Sequence, residues 1–302
     1  MTNNISFFLY FSLINRFSIL IAMGESERYP ISLNAVNVVC FKIDWDERML
    51  NVLLVKRSIN PQKNKWSLPG GFVQNDETLE EAARRIFIKE TGIAPSYLSQ
   101  FRTYSSTKRD KRSTQYNTDE KTRVITTAFT AIYTKNEDLH LDDESEDIRW
   151  FKIPRRYLTR YIPEKMAFDH YDMLLDASNR LRISLEYSGL ATRFLPEHFT
   201  LGQIQDIYEI IWEVELDPAN FREKLTNVEG WIKESKTGPK DAEPRRGKPP
   251  TWYKEHDIPQ FDRMITNPNG AVIREKESEY QKNLDNLTGE IPVVNVKKYK
   301  DK

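Results

Sequence analysis

Residues 66–93 read WSLPGGFVQNDETLEEAARRIFIKETGI, and the fold assignment works outward from them. A strand end, a glycine turn, a loop and a helix are expected in that order. Gly70 and Gly71 can take the positive backbone torsions of a tight turn. Thr78 and Glu81 have capping-box spacing, which predicts a helix from Leu79. Leu79, Ala82, Ala83, Ile86 and Phe87 recur at helical spacing, and Gly92 stands where a helix C-cap belongs.

The flanking segments read as β-structure. Residues 35–43 and 50–55 are β-rich and joined by the polar turn DWDER, which predicts a hairpin leading into the glycine turn. Further strands are expected at 101–105, 123–133 and 148–151.

The central stretch resembles the Nudix box, the loop–helix motif of the Nudix hydrolases. Gly71, Glu77, Arg85, Phe87, Glu90, Gly92 and Ile93 match that pattern in register. Two of its acidic positions hold Ile86 and Lys89. At about 100° per residue, positions 86, 89 and 90 share a helix face. In the family, carboxylates there hold divalent metal against a diphosphate. Hard cations such as Mg²⁺ need several oxygen ligands. Isoleucine offers none and lysine repels a cation. The resemblance therefore implies a retained Nudix fold with weak or lost hydrolysis, and with no catalytic residues, metal or cofactor. Mg²⁺ on Glu90 is expected only if the chain is a hydrolase, with Glu144 or Glu146 as further donors. Ile86 is expected to widen the apolar stripe, and Lys89 to hold a phosphate in place of metal.

The chain has 302 residues, 39% hydrophobic and 30% charged, with a formal net charge of zero. Two ordinary domains fit that length. No global field points to nucleic acid or membrane, so any basic surface must be local. Cys40, alone and within an apolar run, suits a small core residue in a reducing cytoplasm. Residues 5–22 are strongly apolar, but Asn15 and Arg16 interrupt them and no basic region precedes them. Residues 1–29 are read as a misassigned start or a disordered extension, with Met23 as initiator, and no membrane partner is expected.

The C-terminal half has a different pattern. Residues 168–187 form one amphipathic helix with Met173, Leu174, Ala177, Leu181 and Leu185 on its apolar face. Its His170 reads as a surface or capping residue. Thr200 and Gln203 make a second capping box, and Leu201, Ile204, Ile207, Tyr208 and Ile211 give that helix a core face. Asp217, with Pro218 after it, starts another helix carrying Asn220, Arg222 and Lys224. Between Ser235 and Pro249 lie five basic residues, among them Arg245, Arg246 and Lys248, against two acidic ones. Helix, turn, helix and a basic-tipped hairpin is a winged-helix plan, whose second helix can read base edges while the tip meets phosphate. A small helical interaction domain with a solvated loop shares the same pattern.

Residues 168–256 resemble the C-terminal half of the Nudix-related transcriptional regulators, the NrtR family. The resemblance rests on FDH at 168–170, NRLRISLEYSGLATRFLPEHFTLGQIQDIYE at 179–209, DPANFREKL at 217–225 and GKPPTWYK at 247–254, with RDKR at 109–112. It implies a homodimer on a duplex DNA operator and a Nudix domain that senses ADP-ribose, a related phosphorylated nucleotide, or a sugar. Arg85, Lys89, Glu90, Arg109 and Arg112 are the expected ligand-binding residues. Asn220, Arg222, Lys224, Arg245, Arg246 and Lys248 are the expected DNA-binding residues. The expected architecture is α+β: a Nudix α/β/α sandwich (30–160), a linker helix (161–190), a winged helix-turn-helix domain (191–257) and a polar tail (258–302). A Mg-dependent hydrolase with an accessory domain is the alternative.

Overall fold

The computed structural model describes residues 32–92, 94–106, 123–134, 147–153, 166–239, 250–256 and 265. Residues 1–29, Arg109, Arg112, Glu144, Glu146, Arg245, Arg246 and Lys248 lie outside them, as does the tail apart from Ile265.

The first half is a mixed sheet between two helices. Strands β1 (Ser32–Asp44) and β2 (Met49–Lys56) form the antiparallel hairpin, with Phe41 opposite Val52 and Asp44 opposite Met49. Strand β3 (Trp66–Ser67) pairs with β2, and β4 (Gly70–Phe72) with β1. Strand β5 (Tyr97–Tyr104) pairs antiparallel with β6 (Arg123–Ile132), which runs parallel to β1. Strand β7 (Ile148–Lys152) adds to β2.

The interior of β1 is buried on both faces, as a strand covered from both sides must be. Val36, Val38 and Cys40 point at helix α1 (Leu79–Thr91), where they meet Ala82, Ala83, Ile86 and Phe87. Val39, Phe41 and Ile43 point the opposite way, into a core with Met173, Leu174 and Leu181 of helix α2 (His170–Tyr187). The period of two in the strand therefore feeds two cores. Helix α2 is the second outer layer of the sandwich, and its far end reaches the next domain.

Both capping boxes form. Thr78 accepts from the Glu81 amide at 3.2 Å while the Glu81 carboxylate accepts from the Thr78 amide at 2.8 Å. Gly92 closes α1 at φ 71°, a left-handed backbone that suits glycine. The glycine pair before α1 differs from expectation. Gly70 and Gly71 belong to β4, and neither is among the residues with positive φ. Glycine is needed at 70 for close approach. A methyl group there would collide with the Asn37 side chain and lie 2.7 Å from the Val36 carbonyl oxygen.

A short 3-10 turn (Gly189–Phe194) leads into helices α3 (Leu201–Trp212) and α4 (Pro218–Thr226). Strands β8 (Ile232–Ser235) and β9 (Trp252–Glu255) form the wing, and Phe199 bonds to Tyr253 beside it. Tyr208, Trp212, Phe221, Leu225 and Trp231 pack in a core continuous with the α2 face of the sheet. Ile265, in the stretch read as a polar tail, is buried in that same core, and its amide donates to the Glu186 carbonyl.

Candidate functional site

The Nudix-box residues divide between a clasp and a cavity. Glu77 and Arg85 form the clasp. Arg85 donates to both Glu77 carboxylate oxygens, at 2.7 and 2.5 Å, and to the Phe72 carbonyl at 3.3 Å. The Gln74 amide donates to Glu77 at 2.8 Å. The Arg85 bonds are the main reason the Glu77 carboxyl is lowered to about 2. The structure places Arg85, expected as a ligand-binding residue, in this clasp. Its guanidinium is committed to tying the loop to the helix, and it does not line the cavity.

Ile86 is a core residue, 5% exposed, and its side chain lies directly beneath Gly71. Lys89 is exposed and also lies off the cavity wall. One residue further along α1, about 100° around the helix, Glu90 does reach the wall. Its carboxylate accepts from the Gly70 amide at 3.2 Å. Burial raises it to about 7, opposed by that amide and by the charges of Arg57 and Lys89.

The cavity holds about 330 Å³. Besides Gly70, Gly71 and Glu90, it is walled by Asn37, Lys56, Arg57, Phe168 and His170. The segment from Ser67 to Gly70 forms its rim and is pinned from several sides. The Ser67 hydroxyl donates to the Val55 carbonyl, the Leu68 amide to His170 Nδ1 at 3.0 Å, and the Val38 amide to the Pro69 carbonyl. His170 is therefore a buried acceptor, 5% exposed, and not the surface or capping residue expected. With Nδ1 accepting, its proton sits on Nε2. The Arg57 guanidinium lies over the Phe168 ring at 4.9 Å. Phe168 holds φ at 52°, a strained backbone for a side-chain-bearing residue, and its amide donates to Gln62.

Sequence reasoning missed Arg57, Lys56 and Phe168 as wall residues. The FDH tripeptide was a signal for Phe168 and His170. Nothing in the spacing marked Arg57, because it meets Glu90 only through the fold.

The helix donor set does not suit a divalent cation. Glu90 is the one carboxylate left of three, Glu77 is held by Arg85, and positions 86 and 89 supply none. Among the described residues, no group of three or more His, Cys, Asp or Glu side chains is placed to hold a metal ion. No helix among them is long and apolar enough to cross a membrane.

The second candidate surface is α4. Phe221 and Leu225 are buried and anchor it, while Asn220, Arg222 and Lys224 are exposed. Asp217 caps it through the Asn220 amide at 2.8 Å, with Pro218 at its start. Residues 33–174 match the NUDIX domain family, and residues 191–254 match the NrtR DNA-binding winged helix domain. The ADPR responsive transcriptional repressor NtrR of Acinetobacter baylyi is 30% identical over 254 residues, 82% of this chain and 93% of that protein.

The chain belongs to the NrtR family of Nudix-related transcriptional regulators.

The crystal structure of Shewanella oneidensis NrtR complexed with a 27mer DNA superposes with a TM-score of 0.61 at 25% identity, covering 77% of this chain and 99% of that one. An ADP-ribose pyrophosphatase of Methanocaldococcus jannaschii is 32% identical over 157 residues, 52% of this chain and 81% of that enzyme. The NrtR-type matches span both halves of the chain, and the pyrophosphatase match only about half of it.

Proposed function

We propose that this protein is a transcriptional repressor that grips operator DNA through α4 and the wing, and lets go when ADP-ribose or a related phosphorylated nucleotide enters the Nudix cavity. The observation that carries the reading is the changed chemistry of the box. The cavity wall retains Glu90, while Lys56 and Arg57 bring positive charge to it. Such a wall suits holding a diphosphate by charge-assisted hydrogen bonds rather than cutting it. The ADP-ribose-responsive repressor of A. baylyi supports the choice of ligand.

On the DNA side, the second helix of a helix-turn-helix enters the major groove. Asn220 and Arg222 are suited to base edges and Lys224 to phosphate. Arg245, Arg246 and Lys248, which fall between β8 and β9 in the sequence, would add phosphate contacts. A homodimer would place two such helices on a palindromic operator in the cytoplasm, with no cofactor required. A ligand switches such a protein only by binding its operator-competent and incompetent forms unequally.

Hydrolysis of ADP-ribose is the second reading, favoured by the M. jannaschii relative and opposed by the donor set. A gel-shift assay on the DNA upstream of the protein's own gene, with the ADP-ribose recovered afterwards, separates the two. We expect a shifted band that ADP-ribose dissolves, with the nucleotide recovered intact in the presence of Mg²⁺. An indifferent band and rapid Mg²⁺-dependent cleavage would identify a hydrolase.

A further inference from the structure

The turn between β1 and β2 docks on the DNA-binding domain. Arg48 stands in it at φ 50°, a backbone that side-chain-bearing residues rarely adopt. Its guanidinium forks across the domain boundary. Nη1 donates to Asp206 Oδ1 at 2.6 Å and Nη2 to Glu209 Oε2 at 2.9 Å, both carboxylates on α3. The other oxygen of Glu209 faces elsewhere. It accepts from Gln205 Nε2 at 2.9 Å and from the Leu216 amide at 3.1 Å, while Gln205 Nε2 also donates to the Leu216 carbonyl at 3.0 Å. Leu216 immediately precedes Asp217, the N-cap of α4. One carboxylate thus holds the Nudix turn with one oxygen and the entrance of α4 with the other.

The opposite end of the connection is the ligand cavity. From Arg48, β2 runs through buried residues 50–55 to Lys56 and then Arg57, which line that cavity. Eight residues at about 3.3 Å each make it a rod of roughly 26 Å. A second cavity of about 340 Å³ lies between the domains beside this turn, bounded by Arg48, Leu50, Ile153, Ile210 and Val214.

Arg48 contributes little to holding the fold together. Its side chain is 51% exposed, and ion pairs at such sites add little stability. The continuous apolar core does that work. Arg48 instead fixes a geometry, because a forked guanidinium on two carboxylates has one register.

We propose that Arg48 is a positioning residue that couples the Nudix cavity to α4. Resting on the functional reading above, the inference is that a phosphorylated ligand seated against Lys56 and Arg57 displaces β2 along its length. The displacement changes the grip of Arg48 on Glu209, and Glu209 passes it to the Leu216–Asp217 entrance of α4. The coupling is local, through named bonds, and spares both binding surfaces.

The test uses the full-length protein, its upstream DNA, and ADP-ribose. Operator affinity is measured with and without ADP-ribose for the wild type, Arg48→Ala and Glu209→Gln, with ADP-ribose affinity and melting temperature measured for each. We expect Arg48→Ala to keep wild-type melting and wild-type ADP-ribose affinity while the ADP-ribose effect on operator affinity shrinks at least several-fold towards none. Glu209→Gln keeps an acceptor for Leu216 but loses the charge, so an intermediate loss is expected. An Arg48→Ala protein whose operator affinity still responds fully to ADP-ribose overturns the coupling role alone. A wild type that does not respond overturns the functional reading and the coupling with it.

Discussion

Glu90 sits half-buried against the Gly70 amide, and burial lifts its carboxyl to about 7. Near neutrality it therefore exchanges a proton where an ordinary glutamate stays charged. A diphosphate placed beside it feels repulsion only from the ionised form. Affinity for ADP-ribose should accordingly fall several-fold as pH rises through about 7, and Glu90→Gln should flatten that dependence. Calorimetric titrations across this range check it, and a variant with the wild-type pH profile would refute it. The stability effect has the same sign. The folded value lies above the ordinary 4.5, so the contribution is full below 4.5 and is lost as pH rises through about 7. Glu77, eight residues before Arg85 in sequence, goes the opposite way because its partner is a guanidinium.

At the scale of elements, α4 is the part that reads as built for DNA. Phe221 and Leu225 set its roll against the core, which leaves Asn220, Arg222 and Lys224 outward. Lys224→Ala should weaken binding about equally on operator and unrelated duplex, and reduce the salt slope by about 1. Binding measured against salt concentration decides this, and an unchanged slope removes Lys224 from the phosphate contacts. Helices of this kind are legible in the sequence itself. Thr78 with Glu81, Thr200 with Gln203, and Asp217 with Pro218 are local signals, and the capping bonds they specify all form. The cavity was less legible. Its wall draws Asn37, Arg57, Gly70, Glu90 and Phe168 from distant parts of the chain, and their meeting is a tertiary fact. Lys89 shows the limit of face arithmetic. Positions 89 and 90 fall within one helix face on a wheel, yet the cavity lies on the Glu90 side only.

Across the whole molecule, the two domains are not beads on a string. One apolar core runs from Phe41 and Val52 through Met173 and Leu185 to Tyr208 and Trp231, and Ile265 adds to it. Helix α2 spans that core, beginning at the cavity with His170 and ending beneath α3, where the Tyr208 hydroxyl donates to the Leu185 carbonyl at 2.9 Å. The domain order could be read from the sequence, but the shared core could not, because the apolar face of α2 looks the same whether it packs on one domain or two. In the proposed switch, it is this shared body that carries an event at the cavity to the DNA-binding surface. The direct test of that claim is reciprocity. ADP-ribose affinity is measured by calorimetry for the free protein and for the protein saturated with operator. Linkage requires operator to weaken ADP-ribose binding by the same factor by which ADP-ribose weakens operator binding, typically ~5- to 150-fold. Identical ADP-ribose affinity in the two states would contradict the account.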